Sequence, residues 1–413
     1  MSRRPWWLGL PFIFGLALVV RLVLALHMGN LYYFGDTAEY QQAARSILAG
    51  HGPGPDFPRA PLYPLLMAGS FLIGGVDSYL AMRIVQLVLG VLVVLLTIAL
   101  ARRVGTPGGG RLAGLAAALA PTLVFTSEML YPTVLYTCLL LAMCVTALAI
   151  DRVPTLARGA LLGALATLLW TTDQIAVAPI AAIGLWLLLG LPRGGWKLAR
   201  TIVAVIATGT VLALPWSRWE QTAYGHAPIY MRKPQYVLYM VRHDPSIAGQ
   251  REVHDPESMF HPRTTLQFVR HEFALARRQP LAYLTDYTGE FVHFFKPMPD
   301  RLQTQNVYTS RGFRLIAAIY FLPVLALTLF GVLLGRARWR DRLLLAMVPL
   351  ATDAAYAVFF TQTRYRVPVE PQLLVLAVLG FAVLVPRRAA LGTADPVPVL
   401  VPATAPALES RAG

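Results

Sequence analysis

The sequence has few charged residues for its length. Asp, Glu, Lys and Arg make up 14% of the 413 residues, whereas 56% are hydrophobic. A soluble domain needs more polar side chains than this to cover its surface. The composition therefore excludes an ordinary soluble protein and indicates a chain that lies in lipid.

Cysteine is equally scarce, and the two that are present do not indicate a disulfide or a metal site. Cys138 and Cys144 are six positions apart in one apolar run, so they do not share a helical face. We interpret both as unreactive thiols of a buried helix. Cysteine usage therefore gives no information about the redox compartment.

The net charge of +15 does not indicate a nucleic-acid partner. The basic residues are spread over short loops rather than gathered on one soluble domain among stacking aromatic residues. A cleaved secretory signal is not indicated either, because the first apolar run is long and has no small-residue cleavage site. We interpret that run as a first transmembrane span that stays in the protein.

Long apolar runs are what the sequence does contain. Six of them approach the roughly 20 residues that a helix needs to cross a bilayer, and they are residues 8–28, 78–100, 129–150, 198–216, 313–334 and 367–385. Lys and Arg fall in every second connecting loop, which assigns those loops to the cytoplasm. Together with shorter apolar runs, this predicts an all-α, multi-pass inner or plasma membrane protein. We expect about ten transmembrane helices and two cytoplasmic termini.

Two further stretches are expected outside the bilayer on the external side. If residues 61–76 crossed the membrane, Arg102 and Arg103 would lie on the wrong side, so we predict an external juxtamembrane helix there. Residues 264–295 have an amphipathic pattern typical of a helix on lipid headgroups, with a break near Pro280. The chain then divides into an N-terminal transmembrane module (1–216) whose first external loop (29–78) is catalytic, an external region (217–311), C-terminal transmembrane helices (312–386) and a disordered cytoplasmic tail (387–413).

Ionisable residues gather on the predicted external side. They come from several separate connections, and such groups are costly near a membrane. We therefore expect many of them to line a cavity that opens outward. These residues are Asp36, Glu39, Arg45, Arg59, Asp77, Arg83, Glu128, Asp173, Asp353, Arg364 and Arg366, with Arg21 in the outer half of the first span.

The most informative motif is Gly-Asp-Thr-Ala-Glu-Tyr at residues 35–40, soon after the first span. Asp36 and Glu39 begin a helical pattern that stops at Gly50. Their spacing is that of a capping box, so both acids can be explained as a helix cap. Alternatively, Asp36 is a base that takes a proton from an acceptor hydroxyl. The two interpretations are compatible.

Three arginines are candidates for contact with phosphate. Arg59 precedes a proline at a predicted helix start, where it can either snorkel or meet headgroup phosphates. Arg364 and Arg366 flank Tyr365 in a short external loop, against the positive-inside bias. Guanidinium groups bind phosphate in a bidentate manner and stay charged beside lipid, so this pair favours a polyprenyl phosphate or pyrophosphate ligand.

Other polar groups have weaker patterns. Glu128 and Asp173 each follow the end of an apolar run at the predicted cavity, and each is either a local cap or a second carboxylate. His243, His254 and His261 have the right side chains for a metal but not a convincing spacing. The need for a divalent metal is left open.

In this order, the motifs resemble those of the GT-C glycosyltransferases, in the branch of the protein O-mannosyltransferases and the lipid A aminoarabinose transferase. The resemblance extends through residue 385 and rests on residues 35–40, Gly50-His51-Gly52, Arg-Ala-Pro-Leu-Tyr-Pro at 59–64 and Arg-Tyr-Arg-Val-Pro at 364–368. One departure is Thr37, where many mannosyltransferases have a paired Asp-Glu.

The resemblance implies a GT-C-like helical bundle in the cell envelope that moves a sugar, with inversion, from a polyprenyl-phosphate donor to a glycan, lipid or protein acceptor. It implies that Asp36 is the essential acid, with Glu39 as a less secure neighbour, and that Arg364 or Arg366 holds the donor phosphate. The remaining candidates are Arg59 and Tyr365 for the donor phosphate, and Tyr40, His51, Tyr63, Glu128 and Asp173 for the cavity wall.

Two other classes of function remain open. A transporter or flippase of a lipid-linked sugar needs the same lipid and the same arginines, but is expected to show repeated halves and polar groups at the membrane midplane. A non-catalytic membrane scaffold is indicated if Asp36 and Arg364 lie far apart. The identity of the sugar and of the acceptor does not follow from the sequence.

Overall fold

The computed structural model describes residues 9–29, 36–54, 57, 59–105, 108–224, 265–300 and 310–385. All regular structure in these ranges is helical. The predicted disordered tail and residues 30–35, 225–264 and 301–309 lie outside the described residues. The helices are α1 (Leu10–Met28), α2 (Asp36–Leu48), α3 (Leu62–Gly74), α4 (Tyr79–Arg103), α5 (Gly109–Leu119), α6 (Pro121–Thr126), α7 (Thr133–Arg152), α8 (Leu156–Trp170), α9 (Val177–Leu188), α10 (Leu191–Tyr224), α11 (Thr265–Arg278), α12 (Pro280–Phe294), α13 (Arg311–Leu334), α14 (Trp339–Ala357) and α15 (Glu370–Leu384), with short 3₁₀ helices at Gln174–Ala176 and Thr363–Val369.

Six of the described helical segments are long and apolar enough to cross a membrane. They are α1, α4, α7, α10, α13 and the 3₁₀ helix Thr363–Val369 together with α15. The helical, multi-pass architecture predicted from the apolar runs is therefore present. The count of ten crossings stays a prediction, because α8 and α9 are apolar but shorter. The predicted boundary at residue 216 falls inside α10.

The two stretches expected outside the bilayer form short helices. α3 has 13 residues and is about 20 Å long, against a hydrocarbon core about 30 Å thick. α11 ends at Arg278 and α12 begins at Pro280, so the break predicted near that proline is present. Both helices expose large apolar side chains, among them Val269, Phe273, Leu281 and Leu284.

The centre of the bundle is formed by α7 and α15, whose side chains are largely buried, whereas α1, α10 and α13 expose most of their apolar residues. In lipid the drive to associate comes from close packing rather than from the hydrophobic effect, so small residues mark the contacts. A side chain added at Gly331 of α13 would collide with the carbonyl of Leu376, and one at Gly380 of α15 with that of Leu327. These glycines let α13 and α15 approach closely.

The end of the bundle where α7 finishes has its own buried charges. Arg340 contacts Asp151 through Nη2 at 3.0 Å and donates to the carbonyls of Trp186 at 3.1 Å and Leu189 at 3.0 Å. It thereby ties the ends of α7 and α9 to the start of α14. α7 has 20 residues and is therefore about 30 Å long, close to the thickness of the hydrocarbon core, and this cluster lies at its C-terminal end.

Candidate functional site

The candidate site begins at Asp36, the first residue of α2. Its Oδ1 lies 3.0 Å from Nη2 of Arg59, and its Oδ2 accepts a hydrogen bond from Nη1 of the same arginine at 3.1 Å. The helix cap predicted for Asp36 and Glu39 therefore does not account for the Asp36 carboxylate, which contacts an arginine from another segment. About a third of the Asp36 side chain remains exposed (30%).

Arg59 joins both acids of the motif. Its Nε donates to Oε2 of Glu39 at 2.9 Å, and its guanidinium group lies 5.4 Å from the ring centroid of Tyr40. Only 13% of the Arg59 side chain is exposed, so the arginine does not snorkel freely. The segment that carries it is held in place where the amide of Leu62 donates to the carbonyl of Thr171 at 2.9 Å.

A tyrosine connects Asp36 to the late arginine motif. The hydroxyl of Tyr131, in the loop between α6 and α7, donates to Oδ2 of Asp36 at 3.1 Å. The guanidinium group of Arg364 lies 5.6 Å from the ring centroid of Tyr131 and 5.3 Å from that of Tyr365. The fold therefore brings Asp36 and Arg364 to one tyrosine, Asp36 at its hydroxyl and Arg364 at its ring.

The 3₁₀ helix that carries Arg364 is pinned by an aspartate that the sequence analysis did not single out. Asp300 accepts from the amide of Thr363 at 2.8 Å, and its own amide donates to Oγ1 of Thr363 at 2.9 Å. Asp300 also contacts Nε2 of His293 at 2.9 Å. Tyr365 stacks on Tyr356 with ring centroids 4.3 Å apart. These contacts fix the position of Arg364.

The charges around Asp36 determine its protonation. Burial alone would raise the pKa of Asp36, but the positive charges of Arg59 and Arg364, with hydrogen bonds from Arg59 and Tyr131, hold it below its usual value. Burial raises the pKa of Tyr40, and the nearby charges of Asp173 and Asp36 contribute to the increase while Arg59 opposes it. Asp36 is therefore charged at neutral pH and Tyr40 is neutral.

Asp173 lies near this cluster and also has a structural role. Its Oδ1 accepts from the amide of Ile175 at 3.1 Å, which caps the 3₁₀ helix before α9. Its charge acts on both Tyr40 and Tyr365. Both interpretations of Asp173 thus remain, a local cap and a second carboxylate of the cavity.

Glu128 lies in a different environment from Asp36. Its side chain is fully buried, and burial raises its pKa to about 8 in spite of the positive charges of Arg83 and Arg21. Arg83 donates to the backbone carbonyl of Glu128 and to that of Gly29, the latter at 2.8 Å. The group ties α1 and α4 to the loop that precedes α7.

Arg366 is separated from Arg364 and does not face Asp36. It is almost fully buried, its Nε contacts Oε1 of Glu370 at 3.1 Å, and its Nη1 donates to the carbonyl of Lys296 at 2.7 Å. Its guanidinium group also packs on the ring of Phe321 at 3.5 Å. The expectation that both arginines point into one cavity is therefore not met, and Arg366 is a structural link between helices.

The remaining candidates lie at the edge of the cluster. Tyr63 is fully buried and packs edge-on against Tyr40 with centroids 5.0 Å apart. His51 lies in the turn after α2, where it is exposed; α2 has 13 residues, so His51 is about 20 Å from Asp36. Within the described residues, no group of three or more His, Cys, Asp or Glu side chains is arranged to hold a metal ion.

Sequence reasoning missed Tyr131, which touches Asp36 directly. Tyr131 falls near the start of the apolar run 129–150, where a tyrosine is also typical of the aromatic belt at a membrane interface. The one feature of the sequence that associates Tyr131 with the site is its position three residues after Glu128, a candidate for the cavity wall. Its pairing with Asp36 depends on a contact between distant parts of the chain.

Comparison with known proteins identifies the fold. No protein-family model and no curated protein matches the chain. Among solved structures, apo ArnT from Cupriavidus metallidurans matches with a TM-score of 0.58 and 16% identity over 92% of this chain and 60% of that one. ArnT bound to undecaprenyl phosphate matches with a TM-score of 0.57 and 15% identity, over 92% of this chain and 61% of that one.

A second similar protein is the archaeal oligosaccharyltransferase AglB from Archaeoglobus fulgidus, in complex with an inhibitory peptide and a dolichol-phosphate. It matches with a TM-score of 0.54 and 15% identity, over 95% of this chain and 53% of that one. Both proteins are GT-C glycosyltransferases, and this chain has the GT-C fold. It spans about 60% of the length of ArnT.

Proposed function

We propose that this GT-C-fold protein transfers a sugar from a polyprenyl-phosphate donor to an acceptor hydroxyl at the external face of a membrane. The acceptor is a glycan, a lipid or a protein. The observation that supports the proposal is that Tyr131 contacts both Asp36 and Arg364, a carboxylate and a fixed cation from distant parts of the chain. Solved structures of the same fold contain undecaprenyl phosphate in ArnT and dolichol-phosphate in AglB.

In the proposed reaction the acceptor oxygen attacks the anomeric carbon of the donor. The bond between that carbon and the phosphate oxygen breaks, and its electron pair leaves with the phosphate. Because the attack comes from the face opposite the phosphate, the configuration inverts. Asp36 takes the proton of the acceptor hydroxyl. Arg364 balances the negative charge that grows on the departing phosphate.

Arg59 has a different part in this reaction from the one expected at first. It holds Asp36 and Glu39 in the resting protein and keeps the pKa of Asp36 low. A donor phosphate beside Arg364 and Arg59 would offset their positive charges. Asp36 would then become a stronger base at the moment when the donor is bound.

The direct test is to incubate the purified protein, in detergent or nanodiscs, with a panel of polyprenyl-phosphate sugars and a mixture of acceptors. We expect one or more sugars to be lost from the lipid and to appear on an acceptor with inverted configuration. Transport without cleavage of the sugar–phosphate bond, measured in sealed vesicles, would instead support a flippase.

The pH dependence of transfer tests the coupling of Arg59 to Asp36. Because the charge of Arg59 lowers the pKa of Asp36, Arg59→Gln should raise that pKa, so the carboxylate gains its proton at a higher pH. The acidic limb of kcat/KM is then expected to move to higher pH, since this profile reports groups of the free enzyme.

The matched control for this pH experiment is Arg45→Gln. Arg45 is also an arginine at an ion pair of α2, but its partner is Asp77 at 2.5 Å and its side chain is about half exposed (54%). We expect its pH profile to coincide with that of the wild type. An unchanged acidic limb in Arg59→Gln would argue against Asp36 as the titrating base.

A further inference from the structure

The loop between α6 and α7 holds a backbone conformation that few residues adopt. Leu130 has a positive φ of 35° although it is not a glycine. Such a conformation persists only where surrounding contacts impose it. The next residue is Tyr131, whose hydroxyl donates to Asp36.

A fully buried glutamine of α4 imposes this conformation. Oε1 of Gln86 accepts from the amide of Leu130 at 3.0 Å, and Nε2 donates to the carbonyl of Tyr131 at 2.9 Å and to the hydroxyl of Tyr63 at 3.2 Å. An amide N–H can only donate and a carbonyl can only accept. The two ends of the Gln86 amide are therefore assigned without ambiguity.

The same loop is held from two other sides. Oγ1 of Thr37, the neighbour of Asp36, donates to the carbonyl of Leu130 at 3.3 Å. Arg83, one turn before Gln86 on α4, donates to the carbonyl of Glu128. The chain thus fixes Tyr131 relative to α2 as well as to α4.

A polar side chain buried in a membrane span is costly unless its hydrogen bonds are satisfied, and such residues often have a function. We propose that Gln86 is a positioning residue that places the hydroxyl of Tyr131 on Asp36 and thereby sets the strength of Asp36 as a base. The inference rests on the proposed function only for its consequence in catalysis. The contact between Gln86 and the Tyr131 loop stands on geometry alone.

The groups that act on Asp36 come from four segments. Arg59 precedes α3, Arg364 lies on the 3₁₀ helix, Tyr131 lies before α7, and Glu39 and Tyr40 share α2 with Asp36. Of these groups, Gln86 forms a hydrogen bond with Tyr131 alone. Its effect on Asp36 should therefore disappear when the Tyr131 hydroxyl is absent.

The test uses Gln86→Met, which keeps the length of the side chain and removes both hydrogen-bonding groups. Tyr131 favours the charged form of Asp36, so its displacement raises the pKa of Asp36 and the acidic limb of kcat/KM moves to higher pH. We expect kcat to fall about 5- to 10-fold, the effect of one misplaced hydrogen bond. Tyr131→Phe should give the same shift of the limb, and the double variant no additional shift.

A second readout does not depend on catalysis. A carboxylate whose pKa is lowered in the folded state stabilises that state above its unfolded pKa, and this stabilisation is lost as the pH falls through the folded pKa. The stabilisation by Asp36 is measured as the difference in Tm between a protein and its Asp36→Asn derivative. This difference is determined across pH for the wild type and for Gln86→Met. In Gln86→Met the folded pKa of Asp36 lies closer to the unfolded pKa, so this contribution should be smaller at neutral pH and its loss should be complete at a higher pH than in the wild type.

Gln372→Met is the matched control, because Gln372 is another fully buried glutamine, whose Nε2 is directed at Cys144 at 3.8 Å. It should change neither pH profile. Gln86→Met could instead lower Tm while leaving both the acidic limb of kcat/KM and the contribution of Asp36 to Tm as in the wild type. Gln86 would then have only a structural role, and the proposal would be overturned. The proposal would also be overturned if adding Gln86→Met to Tyr131→Phe moved the acidic limb as far as Gln86→Met moves it in the wild type.

The two readouts separate the possible failures. A shifted Asp36 contribution to Tm in a protein that transfers no sugar would support the positioning role and count against the proposed function. Sugar transfer by a protein in which Gln86→Met leaves the contribution of Asp36 to Tm unchanged would support the proposed function and count against the positioning role. If Gln86→Met does not fold, Gln86→Leu removes the same two hydrogen-bonding groups with a shorter, uncharged side chain, and the same shift is expected.

Discussion

Replacing Asp36 by Asn is expected to lower the rate of sugar transfer by about 10²- to 10⁴-fold while donor affinity and fold are retained. Asn keeps the shape of Asp and still accepts a hydrogen bond from Tyr131, but it cannot take a proton from the acceptor hydroxyl. The ion pair between Asp36 and Arg59 is partly exposed, so its loss should lower Tm by a small but measurable amount at neutral pH. Single-turnover transfer, donor binding and Tm measure the three quantities.

Glu39→Gln is the matched control for this substitution. Glu39 contacts the same arginine through one hydrogen bond at 2.9 Å, and 40% of its side chain is exposed. We expect a reduction in turnover of less than about 10-fold, because only the setting of Arg59 changes. A stable Asp36→Asn protein with undiminished transfer would leave Asp36 with a capping and pairing role only. The base would then have to be sought at Glu39 or Asp173.

Replacing Arg364 by Ala is expected to weaken donor binding by about 10- to 100-fold, since hydrogen bonds to charged groups are among the stronger ones in proteins. Arg364→Lys should restore little of the affinity. An ammonium group offers a point charge rather than a planar fork, and it does not stack in the same way on Tyr131 and Tyr365. Equilibrium binding of a labelled polyprenyl-phosphate sugar is the measurement.

Two arginines serve as controls for Arg364. Arg45→Ala removes an exposed ion pair with Asp77 and should leave donor affinity unchanged. Arg366→Ala removes a buried partner of Glu370, so it should lower Tm rather than affinity, because an uncompensated buried carboxylate is destabilising. Wild-type donor affinity in Arg364→Ala would refute the phosphate role of Arg364.

The architecture was largely predictable from the sequence. Whether a segment lies in lipid depends on its own length and apolar content, both of which are local properties. The shortness of α3 and the break before Pro280 follow from local signals of the same kind. The candidate acid Asp36 and the candidate arginine Arg364 were also recognisable, because charged groups beside a membrane are few and costly.

The distinction between Arg364 and Arg366 required the tertiary structure. In the sequence motif the two arginines cannot be told apart. In the structure they lie on a 3₁₀ helix, which directs them to different sides. Residues two apart on such a helix are about 120° apart around its axis. One arginine therefore faces Tyr131 and Asp36, while the other is enclosed against Phe321 and Glu370.

The sequence by itself determined that this protein is a helical bundle in lipid with acids and arginines at one end. A span needs about 20 apolar residues, and charged groups are costly within lipid, so both features can be recognised from local sequence. Only the tertiary structure decided that Arg59 joins Asp36 to Glu39, that Tyr131 contacts both Asp36 and Arg364, and that Gln86 holds the Tyr131 loop. Hydrogen bonds between distant segments depend on how the helices pack, and a single sequence carries no periodic pattern that records them.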